Sequence, residues 1–188
     1  MKIWTAGCFL FFAFSSAAAA ENNGYAVPPE VSLPKRAAAS LSDIWNGGRP
    51  ELYLPVHTWH NRACYPSSKI DKYNESPWGA GIGKYVYDGT DARKALVFIT
   101  FTDSNYHPQP LLLYTYQKLW SGDSDIFRFS LGYMAGFTTR KEWHWFPVPA
   151  ALPILGFDIG RFSFENTYVP GLGTNGGNIW FAWSSWRF

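Results

Sequence analysis

From Glu51 to Phe188 the chain alternates apolar and polar positions between clusters of turn residues, the period-two signature of β-strands. The clearest run is Asp125–Thr138. Phe127, Phe129, Leu131, Tyr133, Ala135 and Phe137 share one face, and Ile126, Arg128, Ser130, Gly132, Met134 and Gly136 the other. Apolar residues outward with small or polar residues inward is what a strand needs to cross a bilayer, and the run is long enough for a tilted span. Arg93–Thr102 has a different pattern. Between Ala95 and Phe101 only Thr100 is polar, so Ala95, Val97, Ile99 and Phe101 make one apolar face while Leu96 and Phe98 make another. That run stops at Asp103-Ser104. Pro110–Trp120 also begins apolar on both faces, with Leu111-Leu112-Leu113-Tyr114.

Further strands are expected at Leu52–His60, Pro77–Tyr87, Trp143–Phe157, Asp158–Val169 and Asn178–Phe188, eight in all. Gly79, Gly81 and Gly83 leave one face of the second strand bare, where a neighbour packs closely or the sheet bends. Asn61–Ser76 reads as turn-like or disordered, and Pro170–Gly177 as a Gly/Asn turn. Before the strands, Arg36–Asn46 is the best helix candidate. Leu41, Ile44 and Trp45 fall at helical spacing, and Gly47-Gly48 and Pro50 end it. Such a helix suits an anchor lying in a membrane interface.

Residues 1–20 read as a secretory signal, with Lys2 as its charged region, Ile3–Phe14 as its apolar stretch and Ser15–Ala20 as small cleavage-site residues. Residues 21–50 then form an N-terminal segment carrying the helix, Pro-rich at its start, and 51–188 form the strand domain. No stretch has the length of a transmembrane helix, and an exported membrane protein without helices must close its strands into a barrel. The expected fold is therefore all-β: an eight-stranded antiparallel transmembrane barrel with a short N-terminal amphipathic helix, in the outer membrane. The final strand places Trp180, Ala182, Ser184 and Trp186 on one face and ends in Phe188, a signal suited to outer-membrane assembly.

Composition sharpens this picture. Of 188 residues, 19% are aromatic, and only 16% are charged, against about 25% in ordinary soluble domains. A net charge of +2 argues against a nucleic-acid partner. Beyond the signal one cysteine remains, Cys64, so an intramolecular disulfide is excluded and zinc spacing is absent. GAGIG at Gly79–Gly83 lies within a strand and lacks the helix that a phosphate loop requires. No cofactor and no metal are expected.

The polar inward positions fall mostly in the later strands, at Arg128, Arg161, Ser163 and Glu165. The third and fourth strands instead turn an apolar face inward, and an acyl chain is the natural filler of an apolar bore inside a lipid-embedded barrel. His60 ends the first strand, and Asp103 and Ser104 end the third. In an up-and-down barrel those ends meet at one rim, where a Ser, His and Asp set would activate a hydroxyl or polarise an ester.

At these residues the sequence resembles the lipid A palmitoyltransferase (PagP) family from Leu52 to Phe188. The matching runs are LYLPVHTWH, DKYNESPWGAGIG, the TDS of Thr102–Ser104, GFTTRKEWHWFPVP and TYVPG…NGGNIWFAW. The resemblance implies an outer-membrane enzyme that moves palmitoyl from the sn-1 position of a phospholipid donor to a hydroxyl on lipid A acyl chains, working as a monomer. It places the catalytic residues on His60, Asp103 and Ser104. A mechanism consistent with these residue types has His60 as base for the acceptor hydroxyl or for Ser104, Asp103 orienting the histidine, and Ser104 as either nucleophile or oxyanion donor. The resemblance also implies lateral openings at Pro55 and Pro77 on one side and Pro153 and Pro170 on the other, since proline cannot donate to a strand ladder. Two positions depart from the family: Asn105 stands where a Trp usually follows Asp-Ser, and Thr115 stands at a barrel-floor position that is small in relatives. Thr115 lies about 17 Å along the strand from Pro110, the depth an acyl tail would probe. A non-enzymatic structural or adhesive barrel and a soluble lipid-binding barrel are the competing readings of the same residues.

Overall fold

The computed structural model describes residues 32–121, 126–171 and 177–188. The signal segment 1–20, most of the Pro-rich stretch after it, Asp125 and the middle of the 170–177 turn lie outside the described residues. Eight strands close into one antiparallel barrel in chain order: β1 (Arg49–His60), β2 (Gly79–Tyr87), β3 (Ala92–Thr102), β4 (Pro108–Ser121), β5 (Phe127–Thr138), β6 (Val148–Ile159), β7 (Phe162–Val169) and β8 (Ile179–Arg187). β8 closes the barrel against β1 along Glu51–His60, with one irregularity between Pro55 and His57.

Helix α1 (Leu33–Gly47) precedes the barrel, with proline in its first turn and the Gly48 amide bonded to the Ile44 carbonyl at its end. It buries Ile44 against the outside of the wall and leaves Leu41 and Trp45 exposed. Lys84 Nζ reaches the Trp45 carbonyl at 2.7 Å, and the Ser40 and Tyr114 hydroxyls meet at 3.1 Å, which ties the helix to β2 and β4. Leu41 and Trp45 can therefore face lipid while Ile44 holds the helix down.

Several strand ends differ from expectation for local reasons. Residues 139–147 hold a 3-10 turn, Lys141–Trp143, followed by left-handed backbone at His144 and Trp145, so β6 starts at Val148. Asp158 and Ile159 complete β6, because Gly160, at φ 57°, makes the turn that a strand there would need to avoid. Arg161 is consequently an exposed turn residue and not part of the lining. The 61–78 connection is ordered, with a short helix α2 (Ser67–Ile70). Asp125–Thr138 is realised as expected over its described part, with Phe127, Phe129, Leu131, Tyr133 and Phe137 exposed outward and Ser130, Met134 and Thr138 buried inside. Among the described residues no helix is long and apolar enough to cross a membrane. The exposed aromatic wall is the surface that a bilayer requires of a barrel.

The interior has two tiers. At the rim carrying Arg49 and Arg187, Arg93 is 1% exposed and donates to Asp158, Glu165, Gln117 and Ser163. Arg187 also pairs with Asp158, at 3.3 Å, and Arg128 approaches the same carboxylate at 3.5 Å. Ser185 and Tyr53 donate to Glu51, at 2.7 and 2.6 Å. Above this ionic plug the lining turns apolar, with Val97, Ile99, Leu113, Met134 and Ile154. The bare face of β2 belongs to this wall: a Cβ on Gly83 would come within 2.9 Å of the Tyr53 ring, so the glycine makes room for it.

Replacing Arg93 by Leu strands Asp158 and Glu165 without their central cation. The expected loss is about 3–5 kcal/mol of unfolding free energy in detergent micelles, read from the urea midpoint. An unchanged midpoint would show that the plug does not hold the barrel together.

Candidate active site

The antiparallel order brings the end of β1, the end of β3 and the 61–78, 103–107 and 139–147 connections to one rim. His60, the last residue of β1, is 1% exposed. Its ring stacks on Tyr73 at 4.6 Å and meets Tyr65 edge-on at 5.6 Å. Its Nε2 lies 2.8 Å from Ser104 Oγ, and its Nδ1 lies 3.0 Å from Glu75 Oε1. The same Glu75 oxygen accepts the His60 backbone N–H at 3.0 Å.

Glu75 is gripped from outside by Arg62, whose two terminal nitrogens donate to its two oxygens at 2.5 and 2.6 Å. Those bonds, with help from the His60 N–H, outweigh partial burial and hold the Glu75 carboxyl down to about 2. It is therefore ionised at any physiological pH. A carboxylate can only accept, so Nδ1 carries the proton and the Nε2 lone pair faces the serine hydroxyl, which donates.

Asp103 has a different set of partners. One oxygen accepts the Asn105 and His107 amides at 2.8 and 2.9 Å, and the other accepts Arg140 Nη2 at 3.1 Å. Among the described residues its hydrogen bonds shape the tight 103–107 turn, and none reaches His60. The expectation from sequence is that Asp103 orients the histidine; in the structure its oxygens meet turn amides and Arg140, and the carboxylate beside His60 Nδ1 is that of Glu75. Asn74, beside Glu75, fastens the two loops together. Its backbone N–H donates to the Ser104 carbonyl at 2.9 Å, and its side chain donates to Thr102 Oγ1 at 2.9 Å. Asn105, where a Trp was the family expectation, instead bonds Glu142 at 2.6 Å and links the second loop to the third.

Asp103, His107 and Glu142 bring ligand-type atoms within 4.8 Å of one another. Arg140 meets Asp103 and Lys141 meets His107 Nε2, each at 3.1 Å, so two basic side chains already stand at this cluster.

Below the rim, Tyr53, Val97, Leu113, Thr115, Met134 and Trp183 are among the residues around a cavity of about 40 Å³. That is room for a few water molecules, far short of a long acyl chain. From sequence an apolar lining fits either a packed interior or a bore for an acyl chain; in the structure the bore is apolar and nearly closed by its own lining. Phe101 and Phe181 stack at 4.6 Å across its upper end. Thr115 is buried at the lower end, one inward step above Gln117 of the plug.

The wall is fully laddered between β3 and β4, from Ala92 to Thr102, but open at two seams. β1 pairs with β2 only over Arg49–Tyr53, stopping just before Pro55, with Pro77 ahead of β2 on the other edge. β6 pairs with β7 only over Leu155–Ile159, stopping short of Pro153, with Pro170 just past β7. Both gaps lie towards the His60 rim.

A family model for the antimicrobial peptide resistance and lipid A acylation protein PagP matches residues 40–185. The chain belongs to the PagP family. Among its relatives, the Lipid A acyltransferase PagP of Yersinia enterocolitica is 40% identical over 158 residues, 84% of this chain and 77% of the relative. The protein of the same name from Musicola paradisiaca is 40% identical over 176 residues, 92% and 88% of the two chains. That from Erwinia amylovora is 42% identical over 151 residues, 79% of each. The PagP match covers every residue of the rim described above.

Glu75, Arg62, Asn74 and Arg140 were not singled out from sequence. Glu75 lies fifteen positions from His60, in a connection that reads as turn. The one available signal was a carboxylate inside the matching DKYNESPWGAGIG run. A ¹³C-carboxyl titration of the folded chain should place the Glu75 midpoint below pH 3. Its folded value lies below the ordinary one, so its stabilisation of the rim is complete above about pH 4.5 and is lost as pH falls towards 2. A midpoint at the ordinary glutamate value would remove the Arg62 clamp.

Proposed function

We propose that this protein is an outer-membrane lipid A acyltransferase that takes a palmitoyl or similar long chain from the sn-1 ester of a phospholipid. The observation that carries the reading is a serine hydroxyl held 2.8 Å from His60 Nε2, at the mouth of an apolar bore in a lipid-facing barrel. The relatives' names supply lipid A as acceptor. The donor and the monomeric state belong to the reading itself. It calls for no cofactor and no metal.

In this reading His60 Nε2 accepts the Ser104 proton as Oγ attacks the donor's ester carbonyl carbon. The bond to the glycerol oxygen breaks, and that oxygen leaves as a hydroxyl with the proton returned by His60. A lipid A hydroxyl then gives its proton to Nε2 and attacks the acyl carbon, and the bond to Oγ breaks as Ser104 recovers a proton. Asp103 serves by fixing the turn that presents Ser104. Lipids enter through the two seams, where Pro55, Pro77, Pro153 and Pro170 leave strand edges unlaced. The incoming chain parts the Phe101–Phe181 stack, displaces the flexible Met134 and stops at Thr115.

Lipid A from cells expressing the chain, analysed by mass spectrometry, should gain one acyl group. His60→Ala and Ser104→Ala should each lower that transfer at least about 10³-fold. A passive barrel would leave lipid A the same in all three. The bulk at Thr115 shortens the bore, so the preferred donor should be shorter than palmitate and should lengthen in Thr115→Gly. Addition of palmitate alone, unchanged by that substitution, would overturn Thr115 as the floor.

A further inference from the structure

We infer that Glu75 is the positioning residue for His60, completing a carboxylate–histidine–hydroxyl relay with Ser104. The inference rests on Ser104 being the hydroxyl that accepts the acyl group in the proposed reaction.

Three observations converge. Glu75 meets Nδ1 at 3.0 Å while Ser104 meets Nε2 at 2.8 Å, so the two ring nitrogens are claimed by groups of opposite role. Glu75 also holds the His60 main chain, through the backbone N–H at 3.0 Å, and so fixes the residue as well as its ring. The carboxylate is itself fixed at both ends: Arg62 grips its side chain, and its own carbonyl accepts the Thr58 N–H at 3.0 Å. A neutral imidazole can present its lone pair on either nitrogen, and only one tautomer serves here. An acceptor at Nδ1 selects the tautomer with a free Nε2. It also stabilises the imidazolium formed when His60 takes the serine proton. Asp103 cannot do this from its position, since its oxygens are bonded elsewhere.

The test uses the full chain in detergent micelles with Glu75→Gln, Glu75→Ala and Glu75→Asp. The first readout is the rate at which a small alkyl fluorophosphonate labels Ser104, located by peptide mass. Wild type should label, Glu75→Gln and Glu75→Ala should label about 10²- to 10⁴-fold more slowly, and Glu75→Asp should recover part of the loss. With phospholipid and lipid A, kcat should fall in parallel while KM stays within about two-fold. Absence of labelling in wild type, or labelling of Glu75→Gln within about three-fold of it, would overturn the relay. The second readout needs no variant. ¹⁵N spectra of the histidine rings should show His60 protonated at Nδ1, and a proton on Nε2 alone in the neutral ring would overturn it equally. Labelling that depends on Glu75 supports the relay whatever the acceptor, so failure to acylate lipid A would count against the substrate and not against this residue.

Discussion

Two aromatic side chains join the halves of the bore. The Tyr53 and Trp183 rings line the apolar cavity, while the Tyr53 hydroxyl donates to Glu51 and the Trp183 Nε1–H donates to Glu165. Each presents hydrocarbon upward and a donor downward, so neither surface is left with an unpaired polar group. This boundary decides the rest. Below it, Arg93 and Arg187 face Glu51, Asp158 and Glu165, and the charges can stay because each is met by another charge and by hydroxyls. Above it almost nothing polar faces inward until the rim. The apolar lining runs down to Thr115, and the next layer is the amide of Gln117 and the charged groups it joins.

The plug also explains how the wall tolerates its gaps. Every strand pair is laddered around the lower tier, and the two missing stretches lie above it. Sheet closure and the ionic layer hold one end, which frees the other end to give up pairing between β1 and β2 and between β6 and β7. The β6–β7 gap is not empty of bonds. Thr167 Oγ1 donates to the Pro153 carbonyl at 2.7 Å, a side-chain link where a ladder would have put a backbone one.

Much of this was legible in the residues. Periodicity located β5 and the inward faces of β3 and β4, because lipid outside and lumen inside impose opposite demands on alternate positions. His60, Asp103 and Ser104 were found at strand ends, and the rim gathers all three. What stayed hidden depends on loops. Periodicity says nothing about which carboxylate a histidine meets, so Asp103, next to Ser104 in the chain, reads as the partner where the structure has Glu75. Arg161 shares the parity of Ser163 and Glu165, but it lies in the turn before β7 starts at Phe162, where strand parity does not apply. The nearly closed state of the bore was also beyond the pattern, since an apolar lining reads the same packed or open.

Glu75 links the rim to the wall. Its carbonyl takes the Thr58 amide on the edge of β1 that β2 has left unpaired, while its carboxylate takes the ring and amide of His60 two residues further on. Main chain and side chain of one residue thus cover the upper part of the β1–β2 seam and hold the histidine in register. One residue of the 61–78 connection thus bonds both the edge of β1 that β2 leaves unladdered and the ring that faces Ser104.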